Sequence, residues 1–401
     1  MSFKRLPLRF FFEVLFSISG AAAYGQVGGG GTTTDGREGT RIINTGVPFL
    51  LIAPDARSGA MGDVGVALSA DANSVHWNPS KLAFMENKNG VSLSYSPWLQ
   101  KLVPDISLSY FSAYHRLDDR NTVGMSLRFF SLGQIQLIDV NRNDLGTYSP
   151  SELALDGTFA RKFGENFSLG TAFRFIYSNL SNGQFSSGQD TKAGTALAAD
   201  ISGYYRKGTV LFGKDARIST GLNISNIGNK ISYVENGNKV FLPTNFKLGG
   251  AATIYPDAMN ELTFALDLNK LLVPSPPVYG LDANNQVYIV QGRDPSSLSV
   301  PAAIFSSFGD APGGLKEELQ EISYSAGLEY WYNKQFAVRS GYFYENPDKG
   351  DRQYLTLGAG LRYNVFNLDF AYTVASQKNS PLANTLRFSL VFNFKTKQEG
   401  R

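Results

Sequence analysis

The stretch FSLGTAFRF, Phe167 to Phe175, sets Phe167, Leu169, Thr171, Phe173 and Phe175 against Ser168, Gly170, Ala172 and Arg174. Successive side chains of an extended chain point to opposite faces. This stretch is therefore a strand with one broad apolar face and one small or polar face that carries a charge. The pattern recurs in both directions. Val123, Met125, Leu127 and Phe129 oppose Gly124, Ser126 and Arg128. Leu386, Phe388, Leu390, Phe392 and Phe394 oppose Arg387, Ser389 and Asn393, with Val391 the one break. Ile106, Leu108 and Tyr110 oppose Ser107 and Ser109, and read as the same apolar face. A soluble sandwich would turn that face to a core. A membrane barrel would turn it to lipid and line its lumen with the other. Alternation alone barely separates the two.

Spacing separates them. Strands are expected near 91–97, 105–115, 121–133, 151–161, 167–178, 194–206, 216–226, 245–255, 261–270, 322–332, 335–345, 353–363, 366–376 and 384–394. That is about fourteen, an even number, and most approach the 9–11 residues with which a tilted strand crosses a bilayer. The connections alternate in length. Residues 117–120, 162–166, 207–215, 256–260, 333–334 and 364–365 are short. Residues 134–150, 179–193, 227–244, 271–321, 346–352 and 377–383 are mostly longer. Outer-membrane barrels keep tight turns on the periplasmic side and long loops outside. The expected fold is all-β: a transmembrane antiparallel β-barrel over residues 91–395, with a tail at 396–401 and both termini periplasmic.

Composition agrees. Charged residues are 18%, below the roughly 25% of soluble domains, while Gly 41, Tyr 20 and Phe 29 suit tight turns and aromatic girdles. A net charge of +3 offers no dense basic patch for nucleic acid. With no cysteine there is neither a disulfide framework nor a thiolate metal site, and the two histidines, His76 and His115, leave catalysis poorly supplied. No carboxylate pair, nucleophile–base set or phosphate loop stands out, so catalytic, cofactor and metal residues are all expected to be none, although bound lipid or detergent is compatible. The start of the chain, residues 1–25, runs from Lys4, Arg5 and Arg9 through an apolar core to Ala21–Ala23 and Gly25, which reads as a secretory signal peptide. No later run of about 18 apolar residues offers a transmembrane helix.

Between leader and array lies the stretch that does not alternate, Leu51 to Phe84, within an expected hatch at 51–90. Pro54 and Asp55 can start a helix with an acidic first turn. Small residues from Ala56 through Gly59, Gly62 and Gly65 permit close packing inside a wall. Asn78-Pro79 marks a turn. Residues 26–50 read as a flexible, Gly-rich periplasmic leader, and whether they enter the lumen stays open. Arg128, Asp156, Arg174, Asp200, Arg206, Asp267, Glu329, Arg339, Arg362, Asp369 and Arg387 fall on the lumen face. Their mixed sign favours internal pairing over an ion-selective ring. The longest loop, 271–321, holds six prolines, which discourage strands. It also holds a possible short helix at Leu315–Glu321 and an apolar run at Val300–Phe308. It is a cap over the pore, a surface for a partner, or a folded lid. Val300, Ile304, Phe305, Phe308, Leu315 and Leu319 are its candidate partner residues.

The segment PDARSGAMGDVG, Pro54 to Gly65, continuing to HWNPSKLAF, resembles the N-terminal region of the PorV (LptO) family of type IX secretion in Bacteroidota. More distantly it is similar to FadL-type channels, whose hatch carries an Asn-Pro-Ala motif. Asn78 and Pro79 match that motif, and Ser80 departs from it at the third position. The resemblance marks Pro54, Asp55, Arg57, Gly59, Gly62, Asp63, Asn78 and Pro79 as hatch residues. It implies a FadL-like barrel without an active site. It also implies partners: a SprA/Sov-like translocon, a PorU-like sortase, cargo bearing type IX C-terminal signal domains, and outer-membrane lipid and lipopolysaccharide. The alternative it leaves open is uptake of long-chain fatty acids or other hydrophobic molecules.

Overall fold

The computed structural model describes residues 41–98, 105–138, 144–180, 191–235, 237–375 and 385–394. The expected signal peptide, the leader up to residue 40, most of loop 179–193, loop 377–383 and the tail lie outside the described residues. The strands in chain order are β1 (Asn89–Pro97), β2 (Ile106–Arg116), β3 (Asn121–Leu132), β4 (Ile135–Ile138), β5 (Asp144–Tyr148), β6 (Ser151–Phe163), β7 (Phe167–Asn179), β8 (Gly194–Leu211) and β9 (Lys214–Gly228). They continue as β10 (Asn245–Ile254), β11 (Glu261–Leu271), β12 (Val278–Leu281), β13 (Val287–Gln291), β14 (Ile322–Tyr332), β15 (Phe336–Tyr344), β16 (Gln353–Tyr363), β17 (Phe366–Ala375) and β18 (Leu386–Phe394).

Fourteen of these close an antiparallel barrel, sealed where β1 pairs β18 with Val91 opposite Phe392. The other four form two loop hairpins, β4–β5 and β12–β13. Prolines were expected to keep the longest loop free of strands. The β12–β13 ladder forms between them, because Pro277 precedes it and Pro295 follows it. Likewise β8 and β9 run on to a two-residue turn at 212–213 through what was read as a connection, 207–215.

One end of the barrel carries the short connections (117–120, 164–166, 212–213, 255–260, 333–335 and 364–365). The other carries the long ones (98–105, 133–150, 180–193, 229–244, 272–321, 345–352 and 376–385). Large apolar side chains face outward on the wall: Phe173 is 69% exposed and Leu266 64%. A water-soluble sheet would bury such residues; here they form the lipid-facing band of an outer-membrane barrel. Among the described residues no helix is long and apolar enough to cross a membrane.

One strand turns the other way. Ile106, Leu108 and Tyr110 of β2 are buried in the lumen, so Ser107 and Ser109 face outward. The expectation that this apolar face met lipid fails because the hatch supplies an apolar partner inside. Outside, Ser109 lies in a recess of about 370 Å³ walled by Leu93, Tyr95, Phe111, Leu127 and Phe129.

The hatch packs against the lumen wall at both ends of the barrel. It comprises a 3₁₀ turn at Pro48–Leu51, helix α1 (Ala56–Gly59), helix α2 (Ser74–Trp77) and a 3₁₀ segment at Pro79–Phe84. At the long-loop end Val47, Phe49 and Leu50 pack with Ile106, Leu108, Phe130 and Ile176 of the wall. At the short-turn end Val75, Leu82 and Met85 pack with Tyr114 and Ala160. The chain therefore enters the hatch from the long-loop end. Gly46 N–H donates to the Phe241 carbonyl at 2.8 Å, and Arg41 pairs with Glu317 at 2.7 Å, both partners lying in long connections. Residues 41–50, read as part of a periplasmic leader, are instead seated among the long loops, because their apolar side chains complete the core there.

Candidate functional site

The polar lumen face of the strands has a definite job. An irregular segment inside a barrel has backbone groups that no helix or ladder satisfies, and these need partners. Ser389 Oγ accepts from Ala56 N–H at 2.8 Å, Thr356 Oγ1 from Gly62 N–H at 2.8 Å, and Ser202 Oγ from Ser80 N–H at 3.0 Å. One Asp267 oxygen accepts from both Gly65 and Val66 N–H, at 2.7 and 3.0 Å. The small and polar residues of the alternation are thus the hatch's hydrogen-bonding lattice.

The hatch residues singled out from sequence occupy that lattice. Pro54 leads into Asp55, which caps α1 by accepting from Ser58 N–H at 2.9 Å and also accepts from Trp77 Nε1–H at 2.6 Å. Arg57 donates twice to Glu329, at 3.0 and 2.8 Å, and meets Asp71 at 3.1 Å. Glu329 continues to Arg339 at 2.7 Å, and Arg339 to Asp369 at 2.7 Å. Asp63 accepts from the Tyr354 hydroxyl at 2.5 Å. Asn78 Nδ2 donates to the carbonyls of Val66 and Gly203, at 2.9 and 3.1 Å, while its Oδ1 caps the turn begun by Pro79. A second lumen cluster joins Arg174 to Asp156 at 2.5 Å and to Asp200 at 3.1 Å. Arg206 and Arg362 instead face the rings of Phe84 and Trp331, each at 4.2 Å.

Clearance is tight. Gly62 sits at φ +70°, where an added Cβ would also lie 2.6 Å from the Tyr342 backbone nitrogen. Gly341 on the facing strand would drive a Cβ into the Met61–Gly62 peptide. Beside Gly59 a Cβ would press on the Arg387 guanidinium. Among the described residues no group of three or more His, Cys, Asp or Glu is placed to hold a metal ion. His76 of the hatch contacts Arg128 of the wall strand β3, and His115 is exposed beside Asn89.

The long-loop face is different in character. After β13 the 272–321 connection forms helix α3 (Val300–Ser306) and helix α4 (Leu315–Gln320). Helix α4, LKEELQ, is oriented inside out. Leu315 and Leu319, one turn apart, are 76% and 54% exposed, while Glu317 and Glu318 are buried. An ordinary surface helix packs its apolar stripe inward. This one is held by charge. Lys270 meets Glu318 at 2.9 Å and Glu321 at 2.8 Å. Lys349 meets Glu317 at 2.5 Å and Glu321 at 2.9 Å, and Arg41 meets Glu317. Burial would raise the Glu321 carboxyl, but the Lys270 and Lys349 ammoniums outweigh it and hold it below the ordinary glutamate value. On α3, Ala303 is buried and Val300 packs beside it against Phe241 and Val273. Ile304 is half-buried, Phe305 points to solvent, and the Phe308 ring meets Phe246 of β10 at 6.2 Å.

Of the six partner residues expected from sequence, Phe305, Phe308, Leu315 and Leu319 are exposed, Val300 turns inward and Ile304 lies between. The charge cluster beneath them was missed. The repeated acids of LKEELQE were visible, but their cations come from Arg41, Lys270 and Lys349, far apart in the chain.

A family model described as "Type IX secretion system protein PorV" matches residues 35–278. No curated protein matches significantly. Among solved structures, a deltaS2S3 mutant of the TodX monoaromatic hydrocarbon channel is 12% identical, with 85% of this chain and 99% of that one covered and a TM-score of 0.48. The toluene transporter TbuX of Ralstonia pickettii is 13% identical, with 85% and 98% covered and a TM-score of 0.45. A Pseudomonas aeruginosa FadL homologue is 10% identical, with 88% and 100% covered and a TM-score of 0.44.

Proposed function

The chain belongs to the PorV family of type IX secretion system proteins, and on that footing we propose that it is a non-enzymatic docking component of protein secretion. In this reading the long loops are extracellular and the short turns and C-terminus periplasmic. The loop face receives cargo through its C-terminal signal domain, between a SprA/Sov-like translocon and a PorU-like sortase. The observation that carries the reading is the inverted helix α4. Three carboxylates are taken out of water into ion pairs, at a desolvation cost, and two leucines are left in solvent. Exposed apolar surface on a loop face marks an interaction site.

Uptake of fatty acids or other hydrophobic molecules is the competing reading. It needs an apolar track beside the hatch. Along much of the lumen the hatch and wall meet through buried ion pairs such as Arg57–Glu329 and Arg174–Asp156, which weighs against such a track. The test is copurification from detergent-solubilised membranes. The proposed function predicts recovery of a much larger translocon protein or of the sortase, lost when Leu315 and Leu319 become Glu. Recovery of neither partner, with normal cargo secretion in a deletion strain, would overturn it.

A further inference from the structure

The lumen is polar and charged along most of its length, but at the long-loop end it becomes an apolar chamber. Its walls are Ile106 and Leu108 of β2, Phe130 of β3, Ala154 of β6, Ile176 of β7 and Ala198 of β8. What fills it is a peptide of the chain itself. Phe49 stacks on Phe130 with ring planes 6° apart and centroids 6.2 Å apart, and Val47 and Leu50 are almost fully buried.

Three features make this occupant unlike the hatch below it. First, it is held by the burial of Val47, Phe49 and Leu50 more than by its backbone. Among the described residues its backbone ties to the surroundings are Gly46 N–H to Phe241 O, the Arg128 guanidinium donating to Leu50 O at 2.9 Å, and Val47 N–H donating to the Tyr233 hydroxyl oxygen. Second, it is strained, since Val47 sits at φ 47°, ψ 53°. That left-handed region is costly for a β-branched residue. Third, it continues to Arg41 at the mouth, where Arg41 pairs with Glu317, so its withdrawal toward the loops would break that pair without unthreading the hatch.

The chamber also holds a carboxyl with no cation. Glu152 is 3% exposed and accepts from the Ser178 hydroxyl at 2.7 Å, and Ser178 in turn meets the Tyr233 hydroxyl at 3.0 Å. Among the described residues no Lys or Arg pairs with it. A buried carboxyl either meets a cation or gives up its charge, and the present occupant, GVPFLLI over residues 46–52, brings no positive charge.

We propose that this chamber is a receptor site for an extended peptide carrying apolar side chains and one cationic residue, and that residues 46–50 are its tethered stand-in. The apolar residues would replace Val47, Phe49 and Leu50, and the cation would meet Glu152. The site lies at the loop end of the lumen, beneath Ile231 and Leu242 of the 229–244 connection, so the peptide arrives from the side on which α4 is displayed. The proposal rests on the docking reading above for the source of that peptide, which is translocated cargo.

The test uses the full chain in lipid nanodiscs, with folding checked by heat-modifiable gel mobility. The probe is a fluorescent GVPFLLI peptide ending in Lys, with a Glu-ended control. In the Phe49→Ala/Leu50→Ala variant the Lys peptide should bind about tenfold or more tightly than to the unaltered chain. Glu152→Gln should then weaken it by about tenfold, the worth of one charge-assisted bond, while leaving the Glu peptide no weaker. A second variant guards against a failure to fold. A Cβ on Gly46 would lie 3.9 Å from the Val240 Cβ, close to disulfide spacing, but 2.5 Å from Ile231 Cγ2, so Ile231 is cut back to Ala to make room; the chain has no cysteine of its own. With Gly46→Cys, Val240→Cys and Ile231→Ala, oxidation should abolish peptide binding and reduction restore it. Absence of peptide binding by a folded, plug-weakened chain would overturn the proposal. So would equal binding of both peptides, or binding of dodecanoate but not of peptide. None of these outcomes depends on recovering a translocon, so the docking reading would stand or fall separately.

Discussion

Arg57 holds the hatch to the wall through Glu329, 272 positions along the chain, at 12% side-chain exposure on one side and 2% on the other. Removing either charge unbalances the buried chain Asp71–Arg57–Glu329–Arg339–Asp369. Arg57→Ala or Glu329→Gln should therefore cost about 3–5 kcal/mol, read as a lower temperature of heat-modifiable unfolding. Arg57→Met with Glu329→Leu should recover part of the loss, since apolar replacement of a buried pair is often neutral. Gly341 is held to a stricter limit. Gly341→Val should block assembly of the closed barrel, seen as loss of the compact gel form, because its side chain would occupy the Met61–Gly62 peptide. Arg57, Gly59, Gly62 and Asn78 stand out in the sequence by their density within a stretch that does not alternate. Their partners Glu329, Tyr342 and Gly203 do not, since nothing local in three separated strands says which of them meet the hatch.

Helix α4 shows where reading a sequence by amphipathicity misleads. LKEELQ looks like a short exposed helix, and an exposed helix would put its acids in water. The acids are inside because Lys270, Lys349 and Arg41 converge from three other elements. Two outcomes follow. Leu315→Ser and Leu319→Ser should leave thermal stability within about 0.5 kcal/mol, as for ordinary surface sites, while partner recovery falls. Acid should release the lid. Glu321 is held below the ordinary glutamate value, so its contribution is complete above about pH 4.5 and is lost as pH falls through its lowered folded value. Limited proteolysis should leave the 272–321 connection intact at about pH 7 and about pH 5 and cut it once acidification passes below the lowered Glu321 value. Strand β2 teaches the converse lesson. Its alternation is clear, but alternation does not say which face is inside, and Ile106 and Leu108 are inward because Phe49 and Leu50 are there to meet them.

The fourteen-stranded closed barrel and the segregation of long and short connections were legible because period-two alternation and turn spacing are local properties repeated along the chain. The path of the N-terminal segment was not, because it depends on long-range contacts from Gly46 to Phe241 and from Arg41 to Glu317. The molecule thus has its described N-terminal residues at the long-loop end and β18 running out at the short-turn end. An epitope placed just before Arg41 should be stained on intact cells, and one after Phe394 only after permeabilisation.

The central claim is that the long-loop face, with α4 at its surface, is where this barrel meets the secretion machinery. A photo-crosslinking residue at Leu319 in living cells tests it most directly, with the same residue at Phe212, 91% exposed at the short-turn end, as comparison. The account predicts that Leu319 yields a crosslink to a translocon-sized membrane protein, the sortase or secreted cargo, and that Phe212 does not. Crosslinks to those partners from Phe212 alone, with none from Leu319, would contradict it.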